Sequence, residues 1–381
     1  MQSPSEPAIA NEALQSPLSL GIVGCSLARP RYGAAFALSP STRVSALVDP
    51  DAKYTRAWSR LLGGEIALYA DLQAMIASGT VPDALVIDVP MSERAETISA
   101  AIPACRAILC APPFASTLEE TDRLLYAART HNTLLAPAFP RRGDPVLAQA
   151  IEMATTGEIG LIQQIRCDWS FPLARAYGAE IGADPDAGSW GALLQIVGCH
   201  AADVCRWCFG DVLTVSADID EHTLAPAAGS RRDTAPLLAN LVLGQENGPA
   251  TCHFARSRAV SASERYTFSG SLGNLEVVVS SSTNPADSFP AITLHRPGMR
   301  PQGIPPEPFE GSDLPAPVFR MLEMLESFAE LAQDAETGDE SAPVAEGARA
   351  ALEVMHAAWS SAHDRRKITL PLRRSPDFLV K

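Results

Sequence analysis

The fold of the first half of the chain is decided by one stretch, Leu18-Ser-Leu-Gly-Ile-Val-Gly-Cys-Ser-Leu-Ala-Arg-Pro-Arg-Tyr-Gly33. Residues 18–23 form an apolar run that is long enough for one buried parallel strand and too short for a helix. Gly24 ends the run, and Pro30 stands near the start of a predicted helix, where its missing N–H does no harm. A second apolar run ends at Asp49. Strand, glycine turn, helix, strand and terminal acid together predict a dinucleotide-binding unit.

Two positions of this turn depart from the full glycine fingerprint. Ser26 and Arg29 stand where the second and third glycines would be. Ser26 is small enough to admit a phosphate, although its Cβ restricts positive φ, and the guanidinium of Arg29 can face a phosphate. A buried strand–helix turn that binds no ligand would have a similar sequence. The stretch alone therefore leaves cofactor binding open.

Length, composition and charge restrict the class of protein. A chain of 381 residues is too long for one ordinary core and predicts two domains. Its hydrophobic content of 46% and charged content of 19% are typical of a folded soluble protein. A net charge of −14 without a basic stripe predicts no nucleic-acid or membrane partner. The polar segment 1–17 is predicted to be a disordered tail.

The eight cysteines lie mostly inside apolar runs, which is typical of reduced, buried thiols and predicts a cytoplasmic protein. The group Cys199, His200, Cys205 and Cys208 has the residue types of a zinc site. On a single helix, at ~100° per residue, these side chains point in different directions and cannot converge on one metal. We therefore predict no metal site.

The order of elements predicts an α/β fold with two different sheets. Over residues 18–138, short apolar strands alternate with helices, which predicts a Rossmann domain with a doubly wound parallel sheet. Over residues 139–381, longer β-type runs follow one another, which predicts a C-terminal α+β domain with a large, mostly antiparallel open sheet. One face of that sheet is left for a homodimer or homotetramer interface.

Further segments stand in a characteristic order along the chain: Leu20-Gly-Ile-Val-Gly-Cys25, Val44-Ser-Ala-Leu-Val-Asp-Pro-Asp51, Asp83-Ala-Leu-Val-Ile87, Ile108-Leu-Cys-Ala-Pro-Pro-Phe-Ala115, Gly157-Glu-Ile-Gly160, Gly191-Ala-Leu-Leu-Gln-Ile-Val-Gly-Cys-His-Ala-Ala-Asp-Val-Cys-Arg-Trp207 and Ala351-Leu-Glu-Val-Met-His-Ala-Ala-Trp359. Together they resemble the glucose–fructose oxidoreductase / inositol dehydrogenase (Gfo/Idh/MocA) family over nearly the whole chain. The resemblance implies binding of NAD or NADP and hydride transfer to or from sugar and cyclitol hydroxyls, with a general base taking the hydroxyl proton.

The catalytic segments of that family are only partly matched. Where the family has Glu-Lys-Pro, this chain has Ala111-Pro-Pro113, so Pro112 occupies the lysine position. Gln195 replaces the family aspartate, whereas His200 is retained, with Asp203 three residues later on the same side of a helix. Proline has no ionisable group, and glutamine cannot relay a proton as a carboxylate can. The resemblance therefore leaves His200 as the candidate general acid or base, with Asp203 in support.

The remaining predicted site residues fall into two groups. For the cofactor they are Gly21, Gly24, Cys25, Ser26, Leu27, Asp49, Pro90 and Pro113. For the substrate they are Arg141, Arg142, Trp169 and Gln195. Asp49 would favour NAD over NADP by repelling a 2′-phosphate, although Asp-Pro-Asp is also ordinary turn chemistry.

Two functions follow from the sequence. The first is an NAD(P)-dependent oxidoreductase with an altered catalytic site, acting on a sugar, a polyol or another small carbonyl compound. The alternative is a non-catalytic relative that binds a nucleotide or sugar and regulates or scaffolds a partner. The sequence leaves open whether the Pro112–Pro113 peptide bond is cis.

Overall fold

Two β-sheets organise the chain, and the predicted α/β fold class is confirmed. The computed structural model describes residues 16–25, 30–172, 190–220, 237–257, 263–279, 291–308, 311, 313–334, 342–372 and 374–375. The predicted disordered tail, residues 1–17, lies almost entirely outside this set. Within the described part of the chain, no helix is both long and apolar enough to cross a membrane.

The first sheet is parallel throughout, as the alternating strands and helices predict. Its strands are β1 (Leu18–Val23), β2 (Thr42–Val48), β3 (Ala67–Tyr69), β4 (Ala84–Ile87), β5 (Ala107–Cys110) and β6 (Leu134–Pro137). The spatial order is β3-β2-β1-β4-β5-β6, so the direction of winding reverses between β1 and β4. In open sheets of this kind, ligands bind outside the carboxyl ends of the strands at that reversal.

Helices connect these strands and cover the sheet. They are α1 (Pro30–Leu38), α2 (Ala52–Leu62), α3 (Leu72–Ala77), α4 (Met91–Ala101) and α5 (Leu118–Thr130). Thr117 caps α5: its hydroxyl accepts from the backbone N–H of Glu120 at 3.2 Å and donates to the Glu120 carboxylate at 3.0 Å. Asp51 and Asp71 cap α2 and α3 in a similar way, so these helices begin at defined residues.

The second sheet has nine strands in the order β14-β13-β12-β11-β7-β10-β9-β8-β15. Their bounds are β7 (Ile162–Pro172), β8 (Val212–Asp220), β9 (Leu237–Gln245), β10 (Gly248–Ser257), β11 (Ser263–Gly270), β12 (Asn274–Val279), β13 (Ala291–His295), β14 (Gln302–Ile304) and β15 (Ile368–Thr369). Every described pairing is antiparallel except that of β7 with β10, which is parallel. The mostly antiparallel sheet is therefore confirmed, with its one parallel pair at the centre.

The later helices join the two sheets. They are α6 (Pro145–Thr155), preceded by a short 3-10 turn at Pro140–Gly143, α7 (Trp190–Phe209), α8 (Ala316–Asp334) and α9 (Ala342–Asp364). Although α8 follows the second sheet in sequence, its residues Leu325 and Phe328 pack into the same core as Leu20 of β1. The far end of the chain thus stabilises the first sheet.

Candidate active site

Gly24 forms the turn at the carboxyl end of β1, and its geometry admits no side chain. Its φ is +94°, and a Cβ added there would lie 1.9 Å from the carbonyl oxygen of Asp88. The N–H of Gly24 donates to Val48 O at 2.9 Å, so the turn is held between the ends of β2 and β4. Glycine is therefore required for the backbone of this turn to approach the end of β4, at the reversal of the sheet where ligands bind in folds of this order.

Three other predicted turn residues have different outcomes. Ser26 and Leu27 lie outside the described residues. The side chain of Cys25 is buried, burial raises the pKa of its thiol to about 12, and its carbonyl accepts from Trp58 Nε1 at 3.0 Å. The thiol of Cys25 thus belongs to the core, and a role of Cys25 toward the cofactor stays a prediction for its backbone alone.

Gly21 is a further predicted cofactor residue, and it lies in the strand that precedes the turn. It lies within β1, between Leu20 and Ile22, where a Cβ would lie 2.7 Å from a methyl group of Leu85 on β4. The glycine lets neighbouring strands and their covering side chains pack closely, and it does not reach the turn.

Asp49 lies at the carboxyl end of β2, as predicted, and is 3% exposed. Its Oδ1 accepts from the backbone N–H of Asp51 at 2.9 Å, which is the turn chemistry that the sequence also allowed. Binding of a ribose hydroxyl by Asp49 stays a prediction. Asp49 lies at the strand end where the acid of a dinucleotide-binding fold is found.

The turns after β4 and β5 form the other half of the crevice edge. Pro90 immediately precedes α4, and the peptide bond between the buried Pro112 and Pro113 is cis. The buried guanidinium of Arg94 donates to carbonyls of both turns, a connection that the sequence analysis missed because it crosses from a helix to two separate loops. Pro112 places no ionisable group at this edge.

His200 lies on α7 and is partly buried, with its ring edge-on to that of Phe139 at a centroid distance of 5.6 Å. Burial, aided by the nearby Arg141 and opposed by Glu264, lowers the pKa of His200 to about 4. Because Phe139 closely follows β6, His200 lies beside the carboxyl edge of the first sheet. At neutral pH its imidazole is uncharged and can accept a proton.

Asp203 does not support His200 in the predicted way. Its carboxylate accepts three hydrogen bonds from Arg142 at 2.8–3.1 Å, and its side chain is almost completely buried. Arg142 also lies over the ring of Trp207 at 5.5 Å. The Arg142 guanidinium therefore attaches α7 to the segment after β6. Its contact with a substrate stays a prediction, since the side chain is 46% exposed.

Arg141 lies close enough to His200 to lower its pKa, and Trp169 lies against Arg141. Arg141 forms a two-pronged ion pair with Glu264, which also accepts from the hydroxyl of Tyr266. The Arg141 guanidinium lies 5.8 Å from the ring centroid of Trp169. The Trp169 side chain is 2% exposed, so it contacts Arg141 from within the core. Direct substrate contact by Trp169 is thus corrected. Sequence reasoning missed Glu264 and Tyr266, whose only signal was an acid and a phenol two residues apart in a strand.

Gln195 is buried, and its predicted contact with a substrate stays a prediction. Its side-chain nitrogen lies 3.2 Å from Nε2 of His356 on α9, and that atom lies 3.1 Å from the carbonyl of Ser116. Burial lowers the pKa of His356 to about 4. These contacts join α7, α9 and the loop after β5, and so position His200 relative to the first sheet.

The cysteine arrangement also differs from the one considered in the sequence. Cys205 of α7 meets Cys167 of β7 and Cys252 of β10, with Sγ–Sγ distances of 3.6 and 3.8 Å. The neighbouring thiols and burial raise the pKa of Cys167. The three residues form a buried cluster of mutually contacting sulfur atoms in the apolar core.

Comparison with protein-family models matches two regions of the chain. Residues 18–139 match "Oxidoreductase family, NAD-binding Rossmann fold". Residues 147–276 match the "GFO/IDH/MocA C-terminal domain". The two matches cover the first sheet and most of the second.

Curated relatives include a dTDP-3,4-didehydro-2,6-dideoxy-alpha-D-glucose 3-reductase from Streptomyces violaceoruber, 26% identical over 54% of this chain and 58% of the relative. The enzyme of the same name from Saccharopolyspora spinosa is 26% identical over 75% of this chain and 82% of the relative. The chain spans only about half of the length, 51–58%, of the first three curated relatives.

Solved structures share the fold over almost the whole chain. A 3-ketoreductase from Actinomadura kijaniata, in complex with NADP and TDP-benzene, superposes with a TM-score of 0.73 at 20% identity, covering 91% of this chain and 98% of that one. An oxidoreductase from Agrobacterium radiobacter, in complex with NAD+, L-tartaric acid and magnesium, gives a TM-score of 0.72 at 16% identity, covering 93% and 98%.

Proposed function

The chain belongs to the Gfo/Idh/MocA family of oxidoreductases with an NAD-binding Rossmann fold, and from this premise we propose that it transfers hydride between NAD(H) and a sugar, a polyol or another small carbonyl compound. The observation that carries the proposal is the position of His200, a neutral imidazole beside the carboxyl edge of the first sheet. When bound, the nicotinamide supplies or accepts the hydride. His200 takes the hydroxyl proton during oxidation and releases it to solvent; in the reverse direction it has to take a proton from solvent before it can donate one to the carbonyl oxygen.

The catalytic site is altered in this proposal. Pro112 and the buried Gln195 supply no acid or base, so His200 acts without a neighbouring lysine or carboxylate partner of the usual kind. The ion pair of Arg141 with Glu264 lies near His200 and makes this part of the site polar. The sugar reductases among the relatives favour a carbonyl sugar as the substrate class.

Cofactor binding is tested by isothermal titration with NAD+, NADH, NADP+ and NADPH. We expect micromolar binding of NAD(H) and weaker binding of NADP(H), because the carboxylate of Asp49 would repel a 2′-phosphate. Asp49→Asn should reduce this preference by about tenfold or more, equivalent to ~1.4 kcal/mol. Asp211→Asn, which changes an exposed carboxylate on another part of the surface, is the matched control. Absence of binding by all four dinucleotides would instead favour the non-catalytic alternative.

Catalysis by His200 is tested with His200→Gln. We expect turnover of any reactive member of a panel of aldoses, ketoses and cyclitols to fall by about 10²–10⁴-fold, while cofactor affinity is retained. With a pKa of about 4, the wild-type base stays unprotonated at neutral pH, so its contribution to kcat/KM for oxidation is lost only as the pH falls toward 4. His131→Gln, at an exposed helix end, is the control. Unchanged turnover in His200→Gln would contradict the assignment.

We also propose that copies of the chain associate through the outer face of the second sheet. Helices α6, α7 and α9 pack on this sheet, whereas Leu238 and Val242 of β9 are 41% and 51% exposed. Sedimentation should therefore give a mass of two or four times 40.4 kDa. Val242→Glu should shift the distribution toward the monomer, because it places a charge within the buried interface. A monomeric wild-type protein would refute this assembly.

A further inference from the structure

Arg94 is a buried cation whose hydrogen-bond acceptors are all backbone carbonyls. It lies on α4 and is 6% exposed. Its Nη1 donates to Ala111 O at 3.2 Å and to Pro113 O at 3.0 Å, and its Nη2 donates to Val89 O at 3.1 Å. Among the described residues no carboxylate is bound to this guanidinium. These neutral carbonyls accept from three of its five N–H donors and do not cancel its positive charge.

The three carbonyls locate this charge at one half of the candidate cofactor crevice. Val89 closely follows β4, and Ala111 and Pro113 follow β5. In a doubly wound sheet of this order, β1–β3 and β4–β6 are the two mononucleotide halves. Asp49 ends β2, the strand whose terminal acid binds the adenosine ribose in folds of this kind. The nicotinamide half is then the one at the ends of β4 and β5. On this assignment, the Arg94 guanidinium contacts the two turns that border the nicotinamide half.

One donor of the side chain has no acceptor. The Nε atom of Arg94 is buried and has no hydrogen-bond partner within the described part of the chain. An unpartnered N–H on a buried cation is energetically costly, and the effective dielectric around it is low. The charge consequently acts over a longer range than a solvated surface arginine would.

We propose that Arg94 determines which oxidation state of the nicotinamide the protein prefers, by favouring the reduced cofactor. The proposal rests on the proposed function, because it requires a nicotinamide at the ends of β4 and β5. The oxidised ring carries a positive charge and the reduced ring is neutral, so a fixed cation beside this half repels only the oxidised form. Tighter binding of NADH than of NAD+ means that, at equal concentrations of the two, the protein is occupied mainly by the reduced cofactor.

The test is the ratio of the Kd for NAD+ to the Kd for NADH, measured by isothermal titration. In the wild-type protein we expect a ratio of about ten or more. Arg94→Met keeps the aliphatic stem and removes the charge, and should lower the ratio about tenfold. Arg94→Lys keeps the charge and should preserve most of the ratio. Arg106→Met removes an exposed charge just before β5, at the opposite end of that strand, and should leave the ratio unchanged.

ADP-ribose, which lacks the nicotinamide, separates this effect from a structural one. If Arg94→Met binds ADP-ribose like the wild type and its NAD+/NADH ratio is also unchanged, the proposal is overturned. A wild-type protein that binds NAD+ and NADH equally also overturns the proposal. This outcome needs no variant, so it can be obtained even if Arg94→Met does not fold. A wild-type protein that binds neither dinucleotide nor ADP-ribose refutes the proposed function itself, and this inference with it.

Discussion

Replacing Arg320 with methionine is expected to lower the free energy of unfolding by about 3–5 kcal/mol. Arg320 of α8 pairs through Nε with Asp144, and the two side chains are 5% and 0% exposed. The other oxygen of Asp144 accepts from the backbone N–H groups of Val146 and Leu147 at 3.1 and 3.0 Å, so the same carboxylate caps α6. Without the guanidinium, a buried negative charge remains with no cation against it.

Urea unfolding measures this loss, and two comparisons identify its origin. Arg129→Met removes an exposed ion pair with Glu346 and should cost less than about 1 kcal/mol. In an Asp144→Asn background, Arg320→Met should cost much less than in the wild type, because the neutral amide still caps α6 and leaves no buried charge. A loss in Arg320→Met no greater than that in Arg129→Met would show that the pair does not stabilise the fold.

Replacing Gly24 with alanine is expected to abolish dinucleotide binding and to cost about 3 kcal/mol or more in stability. Two independent penalties add at this position. A φ of +94° is unfavourable for any residue with a Cβ, and that Cβ would overlap Asp88 O at 1.9 Å. Relief requires the turn after β1 or the end of β4 to move, and the crevice between them would change shape.

Gly64→Ala separates the two penalties, because Gly64 has a φ of +78° but open space around its Cβ direction. This control should cost only about 1 kcal/mol, from backbone strain alone, and leave binding of NAD(H) intact. Thermal unfolding and titration with NADH measure both effects for each variant. Equal losses in the two variants would mean that the close approach at Gly24 carries no energetic weight.

The first sheet was predictable because its signals are local. Each strand is a short apolar run, and the glycine turn and helix caps mark where the elements begin and end. Thr117, for example, is followed by Glu120 at capping-box spacing, and its hydroxyl caps α5 by accepting from the Glu120 N–H. Asp49 likewise lies at the strand end that its position in the sequence indicates. Such features depend on neighbours within a few residues, so the sequence alone contains the physics that produces them.

The partners of the candidate site residues were not predictable in this way. Asp203 and His200 are three apart on one helix, and that spacing correctly predicts a shared side of α7 but not a shared interaction. The carboxylate binds Arg142, because a guanidinium fork from another element offers several charge-assisted hydrogen bonds where an imidazole offers one. Gln195 similarly pairs with His356, from the other end of the chain.

By itself, the sequence determined the family, the two kinds of sheet and the place of the glycine turn, since these depend on local periodicity and on the order of elements. Only the tertiary structure decided which charges meet: Arg142 with Asp203, Arg141 with Glu264, and Arg94 with the carbonyls of two turns. Each of these pairings joins residues from different elements. Their geometry is set by how the sheets and helices pack, because a buried charge must be satisfied by whatever polar group the fold brings within hydrogen-bond distance.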